Sequence, residues 1–347
     1  MMSLEFLLGV WFFLWALLWA VYFMLDGFDL GAATLMPFIA KNDDEKRTVY
    51  NSSGPFWDGN EVWLITAGGV TFAAFPLAYS VMFSALYAPL LLLLFALIFR
   101  AVAFEFRSKI DTPNWRKLCD IVLFLGSFVP ALLLGVAFAN LFMGIPIDAD
   151  GVYHGNLLML LNPYGLAGGV FFVCIFCMHG ALWLRFKAEG ELAERARKAA
   201  HILWYLVLSL VIAFLALTAH YTFILDNISK SPFIYSFLVL AVLALLGVRF
   251  FMVNGKSPVS AWCCSALFIV ALTLFAVLGM FPNIIISSLD PAYSITVFNG
   301  ASSHLTLTIM FIVVLLGVPL VICYQAWVYW VFSHKVTAKE LASDHAY

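Results

Sequence analysis

Charge is the scarcest property of this chain. Asp, Glu, Lys and Arg make up 11% of its 347 residues, while hydrophobic residues make up 64%; a soluble domain carries about 25% charged residues. So few polar side chains cannot cover a water-facing surface, which excludes a soluble enzyme and a disordered chain. A basic excess is missing too. The 18 basic and 20 acidic residues give a net charge of −2, so no nucleic-acid partner is expected. Before Lys41 there is no Lys or Arg. The first apolar stretch therefore lacks the basic flank of a cleavable signal and is expected to be a retained helix. Cysteines number six, all in or beside apolar runs, where they read as buried packing residues. Cys174 and Cys177 form a lone C-x-x-C with no further ligands nearby, too little for zinc or haem attachment, so no metal site is expected.

Long apolar runs are what the chain does contain. A membrane helix needs about 20 mostly apolar residues. Nine such runs are predicted, near 6–38, 59–76, 78–105, 118–142, 160–187, 199–222, 232–251, 259–282 and 303–332. The expected fold class is an all-α integral membrane protein, a single polytopic domain over 1–347. The second and third runs are split only at Phe75–Pro76 and should form a tight hairpin. With nine spans, basic residues gather at alternate ends: Lys41, Lys46 and Arg47, then Arg100 to Lys117, Arg185 to Lys198, Arg249 and Lys256, and Lys335 and Lys339. Only Lys230 falls on the other side. The positive-inside rule then predicts an outer N-terminus and a cytoplasmic C-terminus.

Ionisable residues inside spans cost about 2.5–3.5 kcal/mol each, yet here they recur together. Asp26 and Asp29 lie in the inner half of the first span, Asp58 and Glu61 at the start of the second. Arg100 and Glu105 lie near the inner end of the third, and Asp120 opens the fourth. The i, i+3 spacing of both acidic pairs projects each from one helix face. One arginine cannot balance two or three carboxylates, so an uncompensated acid is left that can carry protons. A blander account competes with this. Asp58 and Glu61 suit a helix N-terminus, Glu105 and Lys109 an interfacial i, i+4 pair, and Arg100 can snorkel to headgroups. Asp29 is the hardest to explain that way, since it sits beside Gly27 and Gly31 within a continuous span.

Gly27 and Gly31 also make a G-x-x-x-G pattern, and Gly68 and Gly69 make a second small face; both predict close helix approach. Trp11, Trp15 and Trp19 form one helical stripe, read mainly as packing. Among seven histidines only His179 falls within a span. His154, His220 and His304 lie at outer ends, and His201, His334 and His345 at inner ends. No two recur along one mid-membrane helix, so a haem bound by this chain alone is not expected.

The acidic segments carry a resemblance. Leu25-Asp26-Gly27-Phe28-Asp29-Leu30-Gly31 and Trp57-Asp58-Gly59-Asn60-Glu61-Val62-Trp63-Leu64 resemble subunit II of the cytochrome bd-type quinol oxidases, including their cyanide-insensitive relatives. So do Phe99-Arg100, Gly126-Ser127-Phe128-Val129-Pro130, Asn162-Pro163-Tyr164-Gly165 and Asn299-Gly300-Ala301-Ser302-Ser303-His304. The resemblance covers nearly the whole chain. It implies nine spans in a prokaryotic inner membrane and a partner subunit I that carries the b- and d-type haems and the quinol-oxidising loop. It also implies electrogenic reduction of oxygen to water with cytoplasmic protons. A structural quinone in subunit II and a small single-helix accessory subunit are further components it allows. The acid matching Asp58 lies on the family's proton path. Asp26, Asp29, Glu61 and Arg100 follow as neighbours, with Trp57, Asn60 and Trp63 as motif residues around them. Glu61 stands where an amide is usual, and Glu105-Phe106 where Asp-Tyr is usual.

Three functions compete on the residues alone. An oxidase subunit would line a proton path. A proton-coupled transporter would also keep intramembrane acids near an arginine, but no inverted repeat is evident. A purely structural subunit would use the polar cluster only to fix packing.

Overall fold

The computed structural model describes residues 2–255, 257–337 and 341. Lys256, Lys339 and His345, assigned to the basic side above, lie outside the described residues. Among these, the chain folds into α1 (Leu4–Ile39), α2 (Asp43–Ser53), α3 (Trp57–Ala74), α4 (Pro76–Ala85), α5 (Tyr87–Phe106), α6 (Pro113–Met143), α7 (Leu157–Leu160), α8 (Pro163–Lys187), α9 (Gly190–Tyr221), α10 (Ile224–Ser229), α11 (Tyr235–Asn254), α12 (Pro258–Leu278) and α13 (His304–Val331). A two-stranded antiparallel ribbon, β1 (Asn283–Ile285) and β2 (Ile295–Thr296), lies between α12 and α13.

Among the described residues, eight helices are long and apolar enough to cross a membrane. The polar first turn of α3, with Asp58, Asn60 and Glu61, keeps that 18-residue helix out of the set. The run predicted over 78–105 is not one helix. It breaks at Leu86 between α4 and α5. Pro89 supplies the reason: it has no N–H for the Ala85 carbonyl, and its ring crowds that group. The chain reversal at Phe75–Pro76 is where the sequence suggests it. Pro76 opens α4, and Phe75 is non-helical.

Helices α1 and α8 are the core. α1 packs on α3, α6, α8 and α12, and α8 on α1, α6, α9 and α12. Glycine makes the α1–α8 approach possible. A Cβ on Gly31 would lie 1.7 Å from the Phe176 carbonyl oxygen, and one on Gly180 2.2 Å from the Ala32 nitrogen. Trp11 and Trp15 anchor the aromatic stripe inward. Trp11 donates to the Leu307 carbonyl at 3.1 Å and Trp15 to Thr71 Oγ1 at 2.9 Å. Helix α13 is peripheral, with 6% of its most apolar window buried.

Polar contacts gather the basic ends of the helices. Arg107 at the end of α5 donates to Asp43 of α2 at 2.6 Å and to Asp120 of α6 at 2.7 Å, and Lys46 of α2 reaches Asp120 at 2.9 Å. Arg195 of α9 pairs with Glu45 and donates to the Ile39 carbonyl at 2.7 Å. Buried Lys187 donates to the carbonyls of Phe332 and His334, at 2.5 and 2.6 Å. At the opposite end, His304 meets the Met2 carbonyl at 2.9 Å, and Asn227 of α10 donates to the Gly279 carbonyl at 2.8 Å.

Candidate functional site

The intramembrane acids converge on one buried cluster. Helix α1 presents Asp26 and Asp29, both fully buried. Arg100 of α5, also fully buried, donates through Nη2 to Asp26 Oδ1 at 2.7 Å and to Glu61 Oε1 at 2.5 Å. Arg100 therefore does not snorkel. Glu61 of α3 is an ion-pair partner rather than a plain helix-end charge, and its side chain is 19% exposed. Close packing of α6 on α5 fixes the backbone that carries Arg100: a Cβ on Gly126 of α6 would stand 2.7 Å from the Ala96 carbonyl oxygen and 2.9 Å from the Arg100 backbone nitrogen.

Asn60 is the hub of the second half. Its amide Nδ2 donates to Asp29 Oδ2 at 2.6 Å and to the Leu25 carbonyl at 3.2 Å. Its Oδ1 accepts from Gln325 at 3.1 Å and from Tyr329 at 3.0 Å. Both donors come from α13, so the site draws on α1, α3, α5 and α13. Gln325 and Tyr329 were not singled out from the sequence. Their signal is a polar i, i+4 pair in an otherwise apolar helix. Tyr22, one turn before Asp26, and Ser53 at the end of α2 were missed as well. Their hydroxyls face Asp26 and Asp29 without a hydrogen bond of good geometry.

The cluster is short of partners as well as of positive charge. Asp26 Oδ2, Asp29 Oδ1, Arg100 Nε and Nη1 and Ser127 Oγ are buried with no hydrogen-bond partner among the described residues. Native interiors seldom leave such atoms unserved except by ordered water.

Asp58 sits elsewhere. It is exposed in the first turn of α3 beside exposed Gly59, so Asp58 and Glu61 separate into a surface acid and an inward acid. Trp57 stacks on Phe104 with ring centroids 5.6 Å apart, and Trp63 is buried. Gly27 meets Phe176, with Cδ1 2.8 Å from a built Cβ. Gly68 and Gly69 meet almost nothing: Phe83 at 4.0 Å for the first and no atom within 4 Å for the second. Glu105 is exposed, and Asp120 belongs to the Arg107–Lys46 cluster.

His179 and His154 are engaged within the chain. His179 is fully buried, but both ring nitrogens are engaged. Nε2 is 3.0 Å from the Met24 carbonyl, which can only accept, and Nδ1 is 2.5 Å from Ser265 Oγ. Its ring stacks on Trp262, 5.4 Å away at 7°. His154 is paired with Asp148 at 2.6 Å. No group of three His, Cys, Asp or Glu among the described residues could hold a metal ion.

The chain is a polytopic helical bundle with a buried acid–arginine cluster, and comparison with known proteins narrows the class. The family described as cytochrome bd terminal oxidase subunit II matches residues 7–332. The chain is 39% identical to the cytochrome bd ubiquinol oxidase subunit 2 of Bacillus subtilis, over 95% of this chain and 97% of that one. It is 35% identical to the cytochrome bd-I ubiquinol oxidase subunit 2 of Escherichia coli, over 98% of each. The fold matches a chain of the bd oxidase from Geobacillus thermodenitrificans with TM-score 0.76 and 16% identity, covering 94% of this chain and 98% of that one. The chain belongs to the cytochrome bd terminal oxidase subunit II family and is a membrane-spanning subunit of a terminal oxidase.

Proposed function

We propose that this chain is the haem-free subunit of a quinol:oxygen oxidoreductase, and that its acid–arginine cluster forms part of the cytoplasmic proton-uptake path. One observation carries the proposal. Three carboxylates, of Asp26, Asp29 and Glu61, face a single cation at Arg100, and several of their polar atoms have no partner among the described residues. Such a site can hold and pass protons through ordered water. Asp58 is the surface acid at its mouth, and Glu61 joins the surface to the interior.

The haems belong to the partner subunit I, where quinol is oxidised and oxygen reduced to water. Protons drawn from the cytoplasm make that reaction electrogenic. No step through a haem is assigned to the residues of this chain. An apolar cleft of about 370 Å3, lined by Trp11, Trp63, Val314 and Tyr329 among others, suits the tail of a structural quinone.

Nine spans in an inner membrane, with an outer N-terminus and a cytoplasmic C-terminus, complete the proposal. Helix α3 would be the ninth span, and α4 with α5 a single broken one. The gathering of Lys46, Arg107, Lys187 and Arg195 at one end supports this orientation. Gly68 and Gly69, which lack neighbours here, would meet subunit I; a single-helix accessory subunit would pack elsewhere on the bundle.

The test is Asp58→Asn in the intact complex. Oxygen reduction should slow while the reduced-minus-oxidised haem bands keep their positions and heights. Unchanged turnover would remove Asp58 from the path. The competing structural role draws on the Arg100–Asp26 pair, which ties α5 to α1. It predicts loss of complex yield with normal turnover per haem when Asp26 or Asp29 is changed to Asn.

A further inference from the structure

At the basic end of the bundle, away from the acid cluster, α9 and α11 leave an open cleft. Arg197, Lys198, His201 and Arg249 line it, with Ile202 and Val253 at its lip. His201 lies between two guanidiniums. Its Nδ1 is 2.7 Å from Arg249 Nη1, and its Nε2 is 3.2 Å from Arg197 Nη1. A guanidinium only donates, and a neutral imidazole has one acceptor nitrogen. One of the two contacts therefore sets N–H against N–H, and the cleft has more donors than acceptors.

The charge is unbalanced in the same sense. Glu194 takes both hydrogen bonds of a fork with Arg197, at 2.8 and 2.6 Å. Arg249 makes no ion pair among the described residues; its second contact donates to Tyr205 Oη at 2.9 Å. The cation is fixed nonetheless. Its guanidinium carbon stands 5.2 Å from the Tyr205 ring centre and 5.8 Å from that of Trp204. Trp204 in turn donates to the Leu245 carbonyl of α11 at 2.7 Å and sets the helix spacing. The lip is apolar and open, with Ile202 71% and Val253 61% exposed.

We propose that this cleft binds the phosphodiester of an anionic phospholipid from the leaflet at the basic end of the bundle. The phosphate oxygens accept from Arg249 and Arg197, relieving the donor conflict at His201, and the acyl chains lie along Ile202 and Val253. Cationic pockets between helices at this depth suit such headgroups, and guanidinium–phosphate hydrogen bonds are short and charge-assisted. A soluble anion would have no use for the apolar lip.

Native mass spectrometry of the purified oxidase complex tests this, with phosphatidylglycerol and phosphatidylcholine of matched chains as probes. The wild type should retain phosphatidylglycerol in preference. Arg249→Gln should weaken its retention about tenfold, roughly 1.4 kcal/mol, with oxygen-reduction turnover unchanged. Arg249→Lys should keep most of the retention, which separates lost charge from lost structure. If Arg249→Gln fails to assemble, the pair Arg197→Gln and Lys198→Gln carries the same expectation. Equal retention of the two lipids, or full retention of phosphatidylglycerol in the variants, overturns the proposal. Displacement of the lipid by millimolar inorganic phosphate would assign the site to a free anion and overturn it too.

Discussion

Replacing Arg100 by Gln probes the buried cluster most directly. Arg100 and Asp26 are both fully buried and 2.7 Å apart, and the same Nη2 also serves Glu61 at 2.5 Å. The substitution leaves the carboxylates of Asp26, Asp29 and Glu61 around an uncharged amide in place of the guanidinium. Removing one partner of a buried pair costs about 3–5 kcal/mol. With an unfolding entropy of about 2.1 cal/mol/K per residue, each kcal/mol moves the melting midpoint of a 347-residue chain by about 1.4 °C, so a fall of about 4–7 °C is expected. Heating the purified complex and following its dissociation by size-exclusion chromatography would measure it. The double variant Arg100→Gln with Asp26→Asn removes both ends of the pair. It should recover at least about 2 kcal/mol of the loss, since replacing both partners is far cheaper than orphaning one. A single-variant loss below about 1 kcal/mol, or strict additivity within about 0.5 kcal/mol, would refute the assignment of Arg100 as the counter-ion.

Other outcomes follow from the same geometry. Gly31→Ala should abolish accumulation of the complex, because its Cβ would meet the Phe176 carbonyl at 1.7 Å; Gly69→Ala, with no atom within 4 Å in this chain, should leave the chain's own folding intact, as membrane yields would show. Asn60→Ala should cost about 1.5–3 kcal/mol, the worth of a hydrogen bond to a charged group, and should free α13 to faster limited proteolysis. Partial burial pushes the Asp43 carboxyl up, but the hydrogen bond and charge of Arg107 outweigh it and hold that carboxyl below its usual value. Its contribution is therefore present above the ordinary carboxylate pKa of about 3.9 and is lost as the pH falls through the lowered value. Thermal stability should drop in that acid window, and Asp43→Asn should shrink the drop.

The long helices were legible because apolar runs report directly on membrane spans. Their ends were less so. α9 begins at Gly190, nine residues before the predicted start at 199, because its first turns are charged helix formers that hydropathy ignores. α2 escaped for the same reason, although Asn42 caps it by accepting from the Glu45 N–H at 2.9 Å. The break at Leu86 was present in the sequence as Pro89 but was hidden inside a long apolar run. Spacing brought Asp26 and Asp29 onto one face, and Arg100 stood out as their only nearby cation. What spacing could not reveal was the pairing across helices. Tyr329 reaches Asn60 over 269 positions, and only the folded bundle shows that Glu61 turns inward while Asp58 turns out.

The attachment of α13 also bears on the order in which the subunit is built. This helix is the last of those named above in chain order, and its ties include the Trp11 bond to Leu307 near its start, Asn60 further along, and Lys187 beyond its end. Until it arrives, Asn60 lacks two of its donors, and the buried ammonium of Lys187 lacks its carbonyls. The nascent bundle thus carries unmet polar groups on one flank, and the arrival of α13 both closes the acid cluster and removes them. Completion of the acid cluster and completion of the fold are then a single event.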